Sequence, residues 1–405
     1  MRLSGTYRIR NEPIHQSDFQ IQPSKFIEFD GWKIPVGGPF SLVKSERGSI
    51  ILYVSCPGET PLYYAAQPQV LYWSEQKYDL PKSSRRVNPG ELIIWEPGYI
   101  TPSVVDYFPK PNIQEDYPLI EAYRQYAQLL QDAIARRLAT CPNPSRVAVA
   151  QSGGLDSLLV TWALLQHGVE VIPITVCAGP DDLDITAASA CLETWGLKPI
   201  PVMITQSEIE QLLRESLRCN EDTETSNLRM GMGNILMARQ CQLMKVETIF
   251  TGHGHDDIHG KGTLVKQALA KAQGQSESER WANTRRSVTL ATGGMLKMFA
   301  STFRSYGVRV RLPYYDRELL GWAFNQPTSI IPVTFDKSFV RGFANHVLPF
   351  GAWLDKKHSV GYLTGAGISL KQRLLQGNSL FSPQFLTQQL KAIKHENSIS
   401  TPNPA

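Results

Sequence analysis

The chain has 405 residues, 42% of them hydrophobic and 19% charged, with a formal net charge of +4. That length suggests two or three domains, the composition is that of a globular protein, and the small net charge gives no case for nucleic-acid binding. No apolar run approaches the ~20 residues of a membrane span, and Met1 to Arg10 holds no hydrophobic signal core, so a cytoplasmic protein is expected. The six cysteines, Cys56, Cys141, Cys177, Cys191, Cys219 and Cys241, form neither a C-x-x-C nor a zinc spacing and read as free thiols. Residues 1–110 are β-rich. The β-branched and aromatic runs Ser49–Val54, Val70–Trp73 and Glu91–Trp95 are separated by the turn signals Cys56-Pro-Gly58, Asn88-Pro-Gly90 and Pro97-Gly98, which predicts layered antiparallel sheet. Pro102 to Pro118 reads as a proline-spaced linker. Leu119, Tyr123, Tyr126, Leu130, Ile134 and Leu138 then recur at a spacing of three to four, an amphipathic helix that Cys141-Pro-Asn-Pro144 ends.

The next stretch, Arg146-Val-Ala-Val-Ala-Gln-Ser-Gly-Gly-Leu-Asp-Ser-Leu158, predicts a buried parallel strand, a glycine turn and a helix start. The N–H groups and dipole of a helix N-terminus make an anion site. Gly153 and Gly154 allow the backbone close to a phosphate, Ser152 and Ser157 add hydroxyls, and Asp156 adds a carboxylate suited to Mg²⁺. No lysine follows the glycines, so this is not a Walker A loop. The donors suit a pyrophosphate, with the nucleotide leaving as AMP on an acyl group. Val171–Val176 and Pro201–Ile204 read as further strands, Asp181 to Asp184 as a loop and helix cap, and Ala187–Trp195 as a helix. Leu228–Met244 is a methionine- and leucine-rich helix whose stripe suits core packing. Thr248–Phe250 is a strand, and Thr251-Gly-His-Gly-His-Asp-Asp-Ile-His-Gly260 follows it. Its three histidines, His253, His255 and His259, suit a polar nucleotide loop better than a zinc site, because no cysteine or H-E-x-x-H context accompanies them. Lys261 to Arg286 is polar and reads as a solvated connector, with a flexible lid as the alternative. The segment after Glu396 reads as a disordered tail.

Ser152-Gly-Gly-Leu-Asp-Ser157 resembles the pyrophosphate loop of the N-type ATP pyrophosphatases, the group of asparagine, GMP and NAD synthetases. Thr251 to Asp257 is similar to the Ser-Gly-Glu-Gly-Ser-Asp-Glu loop of asparagine synthetases, and Arg309-Val-Arg-Leu-Pro-Tyr-Tyr-Asp316 to their Glu-x-Arg-x-Pro-Phe-Leu-Asp segment. Asp336-Lys337, Arg341 and Leu348-Pro349 continue the pattern. The resemblance implies ATP held by Ser152, Gly153, Gly154, Leu155, Asp156 and Ser157, with Val176 beside adenine and Thr251 and Gly252 against the nucleotide. It implies Mg²⁺ on Asp156 and Asp256, and a phosphate-neutralising lysine at Lys357, with Lys356 adjacent. His253 stands where asparagine synthetases carry the glutamate that deals with ammonia. In β-lactam synthetases that position is also not glutamate, and the nucleophile is an amine of the substrate. Gly58 to Ala65, Leu71 to Glu75 and Asn88-Pro-Gly90 are similar to the later half of the glutaminase domain of asparagine synthetases. With Arg2 at the position of that domain's cysteine, glutaminase activity is expected to be absent.

The expected architecture is therefore α/β: an antiparallel glutaminase-like remnant over residues 1–110, and a doubly wound parallel-sheet ATP pyrophosphatase domain with a helical C-terminal part over 111–395. The expected tail is 396–405. The expected activity is ATP-dependent amide-bond formation. A carboxylate is activated as acyl-AMP with release of pyrophosphate and passed to an amine, as in β-lactam synthetases and lasso-peptide cyclases, where the substrate is a small molecule or a precursor peptide. An ammonia-using asparagine synthetase and a catalytically silent binding paralogue are the alternatives, with a tRNA-modifying pyrophosphatase as a third rival that the low net charge and the absence of a C-x-x-C count against. His253, with an unperturbed pKa of ~6.5, is the expected proton acceptor for the amine.

Overall fold

The computed structural model of the chain describes residues 4–8, 25–29, 32–36, 41–46, 49–54, 61–349 and 382–400, apart from short breaks at 75–79, 82, 89–90, 100–102, 107–109, 178, 180–181, 221–222 and 224. Two compact units divide it: Met1–Pro109 with His395–Ala405, and Lys110–Lys394.

The first unit is antiparallel. Its strands are β1 (Ser4–Arg8), β2 (Lys25–Phe29), β3 (Trp32–Val36), β4 (Ser41–Glu46), β5 (Ser49–Val54), β6 (Tyr63–Gln67), β7 (Val70–Ser74), β8 (Arg85–Arg86), β9 (Glu91–Trp95) and β10 (Ser103–Asp106). They form sheets in the orders β1-β7-β6-β8 and β10-β9-β5-β4, with β2 and β3 as a separate pair. Ile50 lies opposite Trp95 and Leu52 opposite Ile93. The period of two turns these side chains to one face, where they cluster with Leu71 and Trp73 of the other sheet. Ser103–Asp106 pairs with β9, so the proline-spaced stretch contains a strand. Its Val104-Val105 pair has the β-branched character that pairing favours, and its prolines all lie outside the paired residues.

The second unit is built on five parallel strands, β11 (Arg146–Ala150), β12 (Glu170–Cys177), β13 (Ile200–Met203), β14 (Thr248–Thr251) and β15 (Arg309–Arg311), in the order β13-β12-β11-β14-β15. The chain starts in the middle, winds outward through β12 and β13, and returns to β14 on the other side of β11. That reversal is a topological switch point, the place where a doubly wound sheet leaves a crevice beyond its strand ends. Its helices are α1 (Leu119–Leu138), α2 (Leu155–Gln166), α3 (Leu183–Leu192), α4 (Ile209–Asn220), α5 (Thr225–Leu243), α6 (His255–Ile258), α7 (Thr263–Leu269), α8 (Glu277–Ser305), α9 (Arg317–Phe324), α10 (Ser338–Val347) and, as far as Lys394, α11 (Pro383–Ser400). The main core cluster joins sheet and helices through Ile174, Ile249 and Val310 on the strands, Leu236 on α5, and Phe299 and Phe303 on α8. No helix among the described residues is long and apolar enough to cross a membrane.

Two readings of the sequence are corrected. Lys261 to Arg286 is not a solvated connector. It contains α7 and the start of α8, whose first residue is set by a capping box: the Ser276 hydroxyl accepts from Glu279 N at 3.1 Å, and Ser276 N donates to the Glu279 carboxylate at 2.6 Å. The Ser-x-x-Glu spacing is a helix-start signal, hidden there by polar neighbours. Val265 and Trp281 in the same stretch are buried in a small cluster of their own. The expected tail also fails at its start. The last helix runs to Ser400, because no proline or glycine interrupts the chain between Gln384 and Ser400. Residues 401–405 lie outside the described residues.

Candidate active site

The register between β11 and β14 sets Ala150 opposite Thr251, so the two motif loops leave the sheet side by side. Gly153 takes φ +71°, and a Cβ there would lie 2.7 Å from Ala187 Cβ and from Ala188 N on α3. Gly252 is required by the neighbouring loop, since a Cβ on it would fall 2.7 Å from Asp156 C and Ser157 N. The two loops therefore touch backbone to backbone. The loop itself is tied by Ser157, whose hydroxyl donates to Gly154 O at 3.0 Å and accepts from Gln151 Nε2 at 2.9 Å. Thr161 in turn donates to Gln151 Oε1 at 2.9 Å.

The contact brings two carboxylates to one place. Asp156, in the first turn of α2, and Asp256, in the first turn of α6, each put Oδ1 2.5 Å from Lys337 Nζ. Lys337 sits at the N-cap of α10 with φ +61°, and its side chain is 5% exposed. Burial works to lower the Lys337 pKa, but Asp156 and Asp256 together raise it above the ordinary lysine value. For Asp156, burial works upward, and Lys337 and His255 outweigh it and hold the carboxyl far below the usual range. The site is a pair of carboxylates converging on a position that a buried cation fills.

A chain of buried hydrogen bonds leads away from it. His255 Nδ1 lies 2.6 Å from Asp156 Oδ1, His255 Nε2 lies 2.7 Å from Tyr126 Oη, and Tyr126 Oη lies 2.9 Å from His259 Nε2. Burial pulls both histidines below the ordinary imidazole value. With both rings neutral one sense of donation satisfies every link: His259 Nε2–H donates to Tyr126, Tyr126 to His255 Nε2, and His255 Nδ1–H to Asp156. The Tyr314 ring stacks on His255 with centroids 3.9 Å apart, and its hydroxyl donates to Asp156 O at 2.9 Å. His255 and His259 are thus buried residues of this loop, His255 holding Asp156 directly and His259 acting through Tyr126. Among the described residues no group of three or more His, Cys, Asp or Glu side chains gathers around a metal-sized position.

A cavity of about 430 Å³ opens beside the carboxylates. Ser152, Asp156, Ser157, Val176, Thr251, Gly252, His253 and Asp256 all border it, and Gly153, Gly154 and Leu155 make the turn and the start of α2. Lys357 and Lys356 lie outside the described residues. His253 stands against Phe299, ring centroids 4.6 Å apart. Burial pushes its pKa down to about 4, against the smaller opposing pull of Asp256 and Asp156. That corrects the sequence argument for it: with such a pKa the imidazole is no stronger a proton acceptor than an ordinary glutamate near ~4.3.

Residues 125–305 match the family model described as asparagine synthase. Over that range the chain is similar to an asparagine synthase domain. The matched range includes both motif loops, the cavity wall on α5 and all of α8. Such a domain is of an ATP-using kind, either a carbon–nitrogen ligase or an adenylating enzyme. No curated protein matches the chain. Among solved structures, the chain is similar to a U34-tRNA thiolase from Methanococcus maripaludis with its 4Fe–4S cluster, at 14% identity over 69% of this chain and 80% of that one, TM-score 0.32. It is also similar to an NH3-dependent NAD synthetase from Campylobacter jejuni in complex with nitrate, at 13% identity over 72% of this chain and all (100%) of that one, TM-score 0.29.

Eight of the residues singled out from the sequence border the cavity, and sequence reasoning missed what holds them. Lys337 belongs to the Asp336-Lys337…Arg341 pattern but carried no assigned role. Tyr314 lies within the Pro-Tyr-Tyr-Asp segment, and Tyr126 looked like one more apolar position of α1. Methionines of α5 that suited core packing also do more: Met230 and Met237 border the cavity.

Proposed function

We propose that the protein is an AMP-forming amide ligase. It joins the carboxylate of a small molecule or precursor peptide to an amine, with ATP as activator and without glutamine as nitrogen source. One observation carries this reading: Asp156 and Asp256 meet at one cation position, on adjoining loops beyond the strand ends, at the mouth of a cavity large enough for a nucleoside.

The residues fit Mg²⁺, which takes one or two carboxylates and completes its shell with phosphate oxygens and water. Asp156 and Asp256 would hold it, and it would supply charge neutralisation at the phosphates. The N–H groups at the start of α2 and the Ser152 hydroxyl face the pyrophosphate. Lys337, and Lys357 as the sequence pattern has it, add positive charge where the leaving group gains negative charge. The substrate carboxylate attacks the α-phosphorus, the α–β bridge breaks, and pyrophosphate leaves. The amine then attacks the acyl carbon, releasing AMP and losing a proton. His253 Nε2 is buried without a partner among the described residues and is neutral, so it can accept a hydrogen bond from the amine.

The N-terminal unit reads as a glutaminase-like scaffold. The test is a product analysis of purified protein with ATP, Mg²⁺ and aspartate or carboxylate-bearing peptides. AMP and pyrophosphate are expected, and glutamine is expected to release no glutamate. ADP and phosphate as products would refute the reading, asparagine formed from aspartate and ammonia would replace it with the simple synthetase, and failure to bind ATP would leave the silent paralogue. Within this reading, His253→Ala should leave ATP–pyrophosphate exchange within a few-fold of normal and slow amide formation by about 10²-fold, the low end for proton-transfer catalysis, because its proton affinity is depressed. Equal loss in both half-reactions would make His253 a structural residue.

A further inference from the structure

One side chain on the cavity wall has no task in the chemistry above. Asn234 lies on α5 with no exposed surface, and neither its Oδ1 nor its Nδ2 has a hydrogen-bond partner among the described residues. A buried carboxamide that hydrogen-bonds to nothing is costly, and native proteins rarely keep one without use. Gln151, the other carboxamide bordering the cavity, has both its atoms engaged, which makes Asn234 the exception there.

Its surroundings say what would engage it. Met230, Asn234 and Met237 recur at four and three residues, so α5 presents them on one face, and all three border the cavity. Ile174 and Val176 border it from β12, and Phe299 from α8. The carboxamide thus sets donor and acceptor groups among five apolar side chains, on a wall that is polar elsewhere at residues such as Ser152, Asp156 and His253. A flat heteroaromatic ring with adjacent hydrogen-bonding groups on one edge fits against that apolar part of the wall. Adenine is such a ring: its exocyclic amine donates, and the neighbouring ring nitrogen accepts. An asparagine side chain matches that edge with two bonds, Oδ1 accepting from the amine and Nδ2–H donating to the ring nitrogen.

We infer that Asn234 reads the base of the nucleotide, selecting adenine by a two-bond contact from the apolar part of the wall. The inference rests on the ATP reading of this site. It assigns specificity to a side chain of α5, a helix that brings no residue to the phosphates.

The experiment compares Mg²⁺-dependent binding of ATP and of purine riboside triphosphate, which lacks the exocyclic amine, in the full-length wild type and in Asn234→Leu. Leucine keeps the volume and removes both polar atoms, and removing an unpaired pair of polar atoms does not harm the fold. The wild type should prefer ATP by about 10-fold or more, and Asn234→Leu should bind the two nucleotides alike, with the loss falling on ATP. A variant that keeps the ATP preference overturns the inference. So does a wild type that binds both nucleotides equally well, a result that does not depend on the variant's folding and leaves the ATP reading standing. A wild type that binds neither nucleotide overturns both.

Discussion

Asp156→Asn and Asp256→Asn are each expected to lower Mg²⁺-dependent ATP–pyrophosphate exchange by about 10²-fold or more. Residues that merely orient a metal ligand are worth ~10–100-fold, and these two would be the ligands themselves. The two variants should differ in stability. The Asp156 carboxylate is 29% exposed and accepts from both Lys337 and His255, so losing its charge leaves a buried ammonium with one partner fewer. About 1–3 kcal/mol of destabilisation is expected, the range for hydrogen bonds to charged groups. Asp256 is 50% exposed, and its removal leaves Lys337 still paired with Asp156, so that variant should unfold close to the wild type. Denaturation midpoints with exchange assays on both proteins check this. Near-normal exchange in either variant would remove that carboxylate from the cation site.

The largest effect on stability is expected at Asp316, which closes the Pro-Tyr-Tyr-Asp segment. Its carboxylate accepts from Arg136 Nε and Nη2 at 3.0 and 2.6 Å and from Arg137 Nη1 at 3.0 Å. It also caps α9 through Glu318 N and Leu319 N. Arg137 has no exposed surface, so Asp316→Ala takes the carboxylate from a buried guanidinium and uncaps a helix together. About 3–5 kcal/mol is expected, as for breaking other buried pairs, with about 1 kcal/mol of it from the cap. Burial works to raise the Asp316 pKa, and Arg137 and Arg136 outweigh it and depress it. With the folded value below the unfolded one, the stabilisation is complete above the unfolded pKa of ~3.9 and lost as pH falls through the folded value. The gap between wild type and Asp316→Asn should therefore be full at pH 6–7 and shrink under acid. A cost below 1 kcal/mol for Asp316→Ala in urea unfolding at pH 7 would show the cluster to be energetically idle.

Much of this domain was legible in the sequence for identifiable reasons. Strands β11, β12 and β14 are runs of small or β-branched apolar residues because both of their faces are covered. The helix predicted over Leu119–Leu138 has those same ends because Pro118 and Cys141-Pro bracket it. β15 left no such mark. It is three residues long and two of them are arginines, and Arg311 is buried all the same. The burial of two histidines left no mark for a related reason. A polar residue type suggests exposure, yet His255 and His259 are affordable inside because the Tyr126 hydroxyl lies between them. That pairing spans 129 and 133 residues of sequence, beyond the reach of local pattern. Lys337 is the extreme case, since its role depends on two carboxylates that no window of sequence shows together.

The side-by-side emergence of the two loops has a consequence for how the protein comes into being. His255 and Asp156 are 99 residues apart, and Lys337 is 181 residues from Asp156. No short fragment contains the cation site, and half of it has no counterpart until β14 has docked against β11. Such nonlocal pairing forms slowly, after its loop-closure entropy has been met. The carboxylate pair therefore comes together only with the completed sheet. By linkage, a nucleotide that binds only this finished state would stabilise it by RT ln(1 + [L]/Kd), so a ligand of the site would also act as a folding ligand for the sheet that builds it.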